Sequence, residues 1–92
     1  MKNSALIKSA QVLKILGNVK RLEILYNIID KELNVGQLER AVKLSQSALS
    51  QHLAVLRKAG IVNTRRSAQT IFYSINDPTV LQILNTMKKL YA

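Results

Sequence analysis

Apolar residues recur along the chain at helical spacing, interrupted once by two denser β-branched and aromatic runs. From Ser4 to Leu16 they fall at Ala5, Leu6, Ile7, Ala10, Val12, Leu13, Ile15 and Leu16, a helical pattern wider than one face. Such a helix is expected to be covered on two sides. Gly17-Asn18 breaks it, and Asn18 is placed to cap a second helix in which Leu22, Leu25, Tyr26 and Ile29 form an i, i+3, i+4, i+7 stripe. Leu33 and Val35 lead into a short third helix around Leu38, Ala41 and Val42, which ends in a tight turn over Lys43 to Ser45.

Ser45 can cap a fourth helix whose inward row is Leu49, Leu53 and Leu56, with Gly60 as its stop. Beyond it, "IVNTRR" and "TIFYSI" flank the polar linker "SAQ" and read as a β-hairpin. Asp77 as N-cap and Pro78 at the first helical position open a last helix carrying Val80, Leu81, Ile83, Leu84, Met87, Leu90 and Tyr91. Its apolar face is also too wide for a single contact. Two helices joined by a short turn and followed by a hairpin predict a mainly α (α+β) winged helix-turn-helix: five helices with a β-hairpin wing.

Length and charge sharpen this picture. The 92 residues make one domain, 1–92, since only 3 Gly and 1 Pro are present and no stretch reads as a linker. A monomer this small removes only about 60 to 65% of its unfolded surface from water, so a second subunit would help to cover the wide faces. Lys and Arg number 14 against 5 Asp and Glu, for a formal charge of +9. From Arg40 to Asn76 no acid occurs, while Arg40, Lys43, Arg57, Lys58, Arg65 and Arg66 all fall in that span. Polarised positive charge of this kind is the electrostatic footprint of a nucleic-acid binder, with a generally solvated basic surface as the alternative.

Other chemistries are thinly provided for. There is no cysteine, and His52 is the only histidine, so thiolate metal sites, disulfides and nucleophile-base pairs lack their parts. No metal, cofactor or enzymatic activity is expected. No run approaches the roughly 18 to 20 apolar residues of a membrane span, and "MKNSALIKSAQ" lacks a signal-peptide pattern, so a cytoplasmic location without membrane contact is expected.

The runs "LKILGNVKRLEILYNI" and "LSQSALSQHLAVLRKAGIVNTRRSAQTIFYSI" resemble the ArsR/SmtB family of bacterial winged-helix repressors, from about Leu13 to Ile75. The wing "TRRSAQTIFYS" is most similar to the branch holding the rhizobial nodulation repressor and the persulfide-responsive biofilm and sulfide regulators. The resemblance implies a homodimer joined through the first and last helices, with Leu6, Ile7, Ala10, Leu13, Val80, Leu84, Met87 and Tyr91 at the seam. It also implies that the helix over about 45–58 enters the DNA major groove, while the wing over about 61–75 reaches backbone or minor groove. Two departures stand out. Relatives often carry glycine where this chain has Lys43, at a turn expected to need a positive φ. The metal and cysteine sensor sites of relatives do not transfer, because only Glu39 and Asp77 stand on the relevant helices.

On the fourth helix, Gln46, Ser47, Ser50 and Gln51 lie away from the leucine row, and their amides and hydroxyls suit base edges or phosphates. The bland reading is that polar residues occupy a wet helix face, and Ser50 has the further option of bonding back into its own helix. His52 is either a packing residue or a phosphate contact. Arg57 and Lys58 suit both DNA and the helix's C-terminal dipole. At the wing, Arg65, Arg66 and Gln69 can reach the duplex, although strand alternation sends the two arginines to opposite faces. The leading expectation is a DNA-binding transcriptional regulator, a repressor, that grips a pseudo-palindromic operator as a homodimer. A winged-helix module that docks on protein or RNA is the alternative, and the effector, if one exists, is unknown.

Overall fold

The structure is a computed structural model describing all 92 residues. Helix α1 spans Asn3–Leu16, α2 Val19–Asn27, α3 Val35–Val42, α4 Gln46–Lys58 and α5 Pro78–Tyr91. Strand β1 is Leu33–Asn34, β2 Asn63–Ser67 and β3 Thr70–Ser74. The helix order and the hairpin follow the sequence pattern. The third strand does not: Leu33 and Asn34 pair antiparallel with Tyr73 and Phe72, giving the sheet order β1-β3-β2. A two-residue strand has no periodicity to read, because its partners lie about forty residues away.

Side-chain caps decide where the helices begin. Asn18 Oδ1 accepts from Arg21 N at 3.0 Å to start α2, and Ser45 Oγ accepts from Ala48 N at 3.2 Å to start α4. Asp77 Oδ1 does the same for Thr79 N at 2.8 Å, with Pro78 in the first turn of α5. The short α3 has a full capping box, in which Asn34 Oδ1 accepts from Gln37 N while Gln37 Oε1 accepts from Asn34 N, both at 2.9 Å. Each bond satisfies a backbone N–H that has no partner inside its own helix.

The core gathers Ile24, Leu25 and Ile28 of the α2 region, Leu38 and Val42 of α3, and Leu49, Leu53 and Leu56 of α4. Ile61, Val62, Tyr73 and Ile75 close it from the wing side, and Val80 and Leu84 from α5. This settles part of the seam expected from the sequence. Val80 and Leu84 are 1% and 0% exposed within one protomer, so they pack the protomer's own core and have no surface left for a partner. Leu6, Ile7, Ala10, Leu13, Met87 and Tyr91 do remain exposed, with Leu90 beside them. Only Leu16 of α1 is buried, and the molecule is accordingly elongated, 43 × 28 × 21 Å.

Candidate nucleic-acid interface

The turn between α3 and α4 sets the position of the exposed polar face. Lys43 caps α3 at φ 52° and ψ 47°, and its N–H donates to Glu39 O at 3.1 Å. Here the positive φ expected of a glycine is adopted by lysine, whose Cβ makes that conformation costly. Across the turn, Lys20 Nζ donates to Val42 O at 3.2 Å and to Glu23 Oε1 at 3.1 Å, tying α2 to the end of α3.

With Leu49, Leu53 and Leu56 buried, α4 presents Gln46, Ser47, Ser50, Gln51, Arg57 and Lys58 to solvent. Ser45 is engaged as a cap, and its Oγ lies 3.4 Å from Ser47 Oγ. Ser9 and Thr86 bond back to carbonyls one turn earlier in their helices, but the Ser50 hydroxyl makes no such bond. It faces an open groove between α4 and the sheet, lined also by Val35, Leu53, Ala54, Arg57, Lys58 and Tyr73. Ser50, Ala54 and Arg57 follow one another at helical spacing along this wall.

His52 is half-buried and apart from that row. Desolvation, reinforced by the charge of Arg21, lowers its pKa below the usual 6.5. No group of three or more His, Asp or Glu side chains is arranged to hold a metal ion.

The wing separates its two arginines. Cross-strand register pairs Arg65 with Phe72 and Arg66 with Ile71, so the two side chains leave opposite faces of the sheet. Arg65 Nε lies 3.0 and 3.1 Å from the two Glu32 carboxylate oxygens, Nη2 also donates to Oε1, and the guanidinium sits 4.6 Å from the Phe72 ring centroid. These hydrogen bonds hold the Glu32 carboxyl below its usual range and raise Arg65 further. Arg66 has no ion pair. Sequence reading missed Glu32 because nothing local links it to a residue 33 positions later. Ser67 pairs with Thr70, so the turn is the two residues Ala68-Gln69 rather than "SAQ", and Gln69 stands exposed at the tip. Ala68, the first residue of that turn, has φ 55°, a positive value that hairpin turns of two residues call for.

The described geometry is a helix-turn-helix with a basic wing, and the family model for bacterial regulatory proteins of the arsR family matches residues 18–64. The chain belongs to the ArsR family. This ArsR-family chain is 49% identical over 91 residues to the transcriptional activator HlyU of Vibrio cholerae, covering 99% of its own length and 82% of HlyU. It is 48% identical over 84 residues to the nodulation protein NolR of Rhizobium meliloti, covering 91% of itself and 69% of NolR. Among solved structures, reduced HlyU from Vibrio cholerae superimposes with a TM-score of 0.91 at 45% identity, over 97% of this chain and 94% of that one. The transcriptional repressor BigR from Xylella fastidiosa superimposes with a TM-score of 0.86 at 33% identity, over 100% and 98%. As an ArsR-family member the protein is a DNA-binding helix-turn-helix transcriptional regulator and not an enzyme. No helix is long and apolar enough to cross a membrane.

Proposed function

We propose that the protein is a cytoplasmic homodimer that represses transcription by occupying a pseudo-palindromic operator, with α4 of each protomer in successive major grooves about 34 Å apart. One observation carries this reading: the exposed side of α4 and the turn before it join amide and hydroxyl tips to lysine and arginine in a span without any acid. Gln46, Ser47, Ser50 and Gln51 are the base- or phosphate-contacting residues, and a glutamine amide can bond adenine through two hydrogen bonds. Lys43, Arg57, Lys58 and Arg66 neutralise phosphates. Leu6, Ile7, Ala10 and Leu13 of α1 meet Met87, Leu90 and Tyr91 of α5 across the twofold axis, where burial of apolar surface drives association. Single-stranded RNA is a poor fit. Tyr73 is buried, the Phe72 ring is covered by Arg65 and the Tyr26 hydroxyl is bonded to Leu84 O, which leaves few aromatic faces for stacking near the basic surface.

The test is a salt titration of binding to duplex DNA. Eight phosphate contacts per dimer give a slope of log K against log salt of about −7, and a slope near zero refutes the mechanism. Gln51→Ala is expected to relax preference at one or two base pairs while leaving the slope unchanged. A reporter placed behind the footprinted site distinguishes repression from activation.

A further inference from the structure

The wing of a winged helix is expected to place long cations on DNA, yet one of the two arginines here is already occupied. Arg65 is fixed three ways: its guanidinium donates to both Glu32 oxygens, it stacks on Phe72, and Glu32 immediately precedes β1, which is itself paired to β3. The Arg66 side chain makes no hydrogen bond or ion pair. Sheet geometry adds direction to this asymmetry. Tyr73, buried and lining the groove beside α4, shares its face with Ile71 and with Arg66 opposite, whereas Phe72, Asn34 and Arg65 occupy the other face.

We propose that Glu32 is a positioning residue of the wing: its carboxylate holds Arg65 against Phe72, away from the α4 face, and leaves Arg66 as the wing's DNA-binding arginine. The assignment rests on the duplex-binding reading above. A carboxylate presents two oxygens to the guanidinium fork much as a phosphate does, so Glu32 acts as an internal competitor for the DNA backbone. An exposed pair of this kind is individually weak, but the Phe72 stack holds the same guanidinium, and only with Glu32 removed is the long Arg65 side chain free to reach a phosphate from its own face of the wing. The consequence lies in selectivity. In a chain of net charge +9, every free arginine adds affinity for any duplex whatever its sequence. The clamp removes one such contact per protomer, and because Arg65 leaves the face opposite α4, it does so without touching base readout.

The experiment compares the unsubstituted protein with Glu32→Gln, Arg65→Gln, Arg66→Gln and the Glu32→Gln/Arg65→Gln pair on a fluorescent mixed-sequence duplex over a range of salt. Arg66→Gln is expected to flatten the log-log slope by roughly 1 per protomer and Arg65→Gln to leave it unchanged. Glu32→Gln steepens it by a similar amount, and the paired substitution restores the original slope. A slope that Arg65→Gln flattens as much as Arg66→Gln does, or that Glu32→Gln does not alter, overturns the assignment. In the unsubstituted protein, the Arg65 Nε–Hε NMR signal stays in place on addition of duplex while that of Arg66 moves; the reverse overturns the assignment without any substitution. Absence of salt-dependent binding by the unsubstituted chain instead overturns the duplex reading, and the wing assignment falls with it.

Discussion

Two side chains sit in backbone conformations that favour glycine, and they separate strain from charge. Lys43 and Ala68 have φ of 52° and 55°. Replacing either by glycine relieves about 1 kcal/mol, less whatever the more flexible unfolded chain takes back, which for a domain this size raises Tm by a few degrees. Lys43→Gly is expected to be more stable yet to lose about one unit of salt slope per protomer, whereas Ala68→Gly gains stability with the slope intact. A lower Tm for Lys43→Gly would refute the role given to the turn. The left-handed residue at 43 was legible only through the family resemblance, because relatives often carry glycine at that turn. Ala68 was not, since alanine gives no hint of positive φ. His52 adds a pH dependence. Its folded pKa is lowered chiefly by desolvation, so its contribution is present above about 6.5 and is lost as pH falls through the lower folded value. His52→Gln is therefore expected to flatten the dependence of Tm on pH below 6.5, as measured by thermal melts.

Among the elements, α3 depends most on its ends. It has only eight residues, too few to persist without help, and its capping box satisfies N–H groups that the helix itself leaves open. Asn34→Ala is expected to cost about 1 to 2 kcal/mol in urea unfolding, with Phe72 feeling the loss because Asn34 also belongs to β1 and pairs with it. Caps were the most readable feature of the sequence: Asn18, Ser45 and Asp77 all stand where their chemistry placed them. Apolar periodicity located every helix, but it did not distinguish a wide face covered by the protomer from one left open. Val80 and Leu84 show why, since the stripe they share with Met87 and Tyr91 turns from core to surface along a single helix.

At the scale of the whole molecule, basic and apolar surfaces fall in different places. The apolar one lies on α1 and on the C-terminal half of α5, where Leu13 is 61% and Tyr91 82% exposed. The basic one follows the turn, α4 and the wing. If the proposed seam forms, Leu13→Glu is expected to sediment as a stable monomer where the unsubstituted chain sediments as a dimer, with duplex affinity reduced by at least tenfold because two coupled half-sites become one. Retention of both dimer and affinity would move the seam elsewhere. The sequence announced this division through its acid-free span, but the fate of individual cations was beyond it, as Arg65 and Glu32 show.

The Tyr26 hydroxyl donates to Leu84 O at 2.7 Å, fastening α2 to the middle of α5. Helix α5, proposed above as part of the seam, is thus bolted to the body that carries the turn and α4, and in the proposed dimer the distance between the two reading heads becomes a property of folded protein rather than of a flexible joint. Such a molecule works as a gauge: one added base pair shifts a half-site by roughly 3.4 Å and about 35°, a mismatch that DNA distortion must absorb.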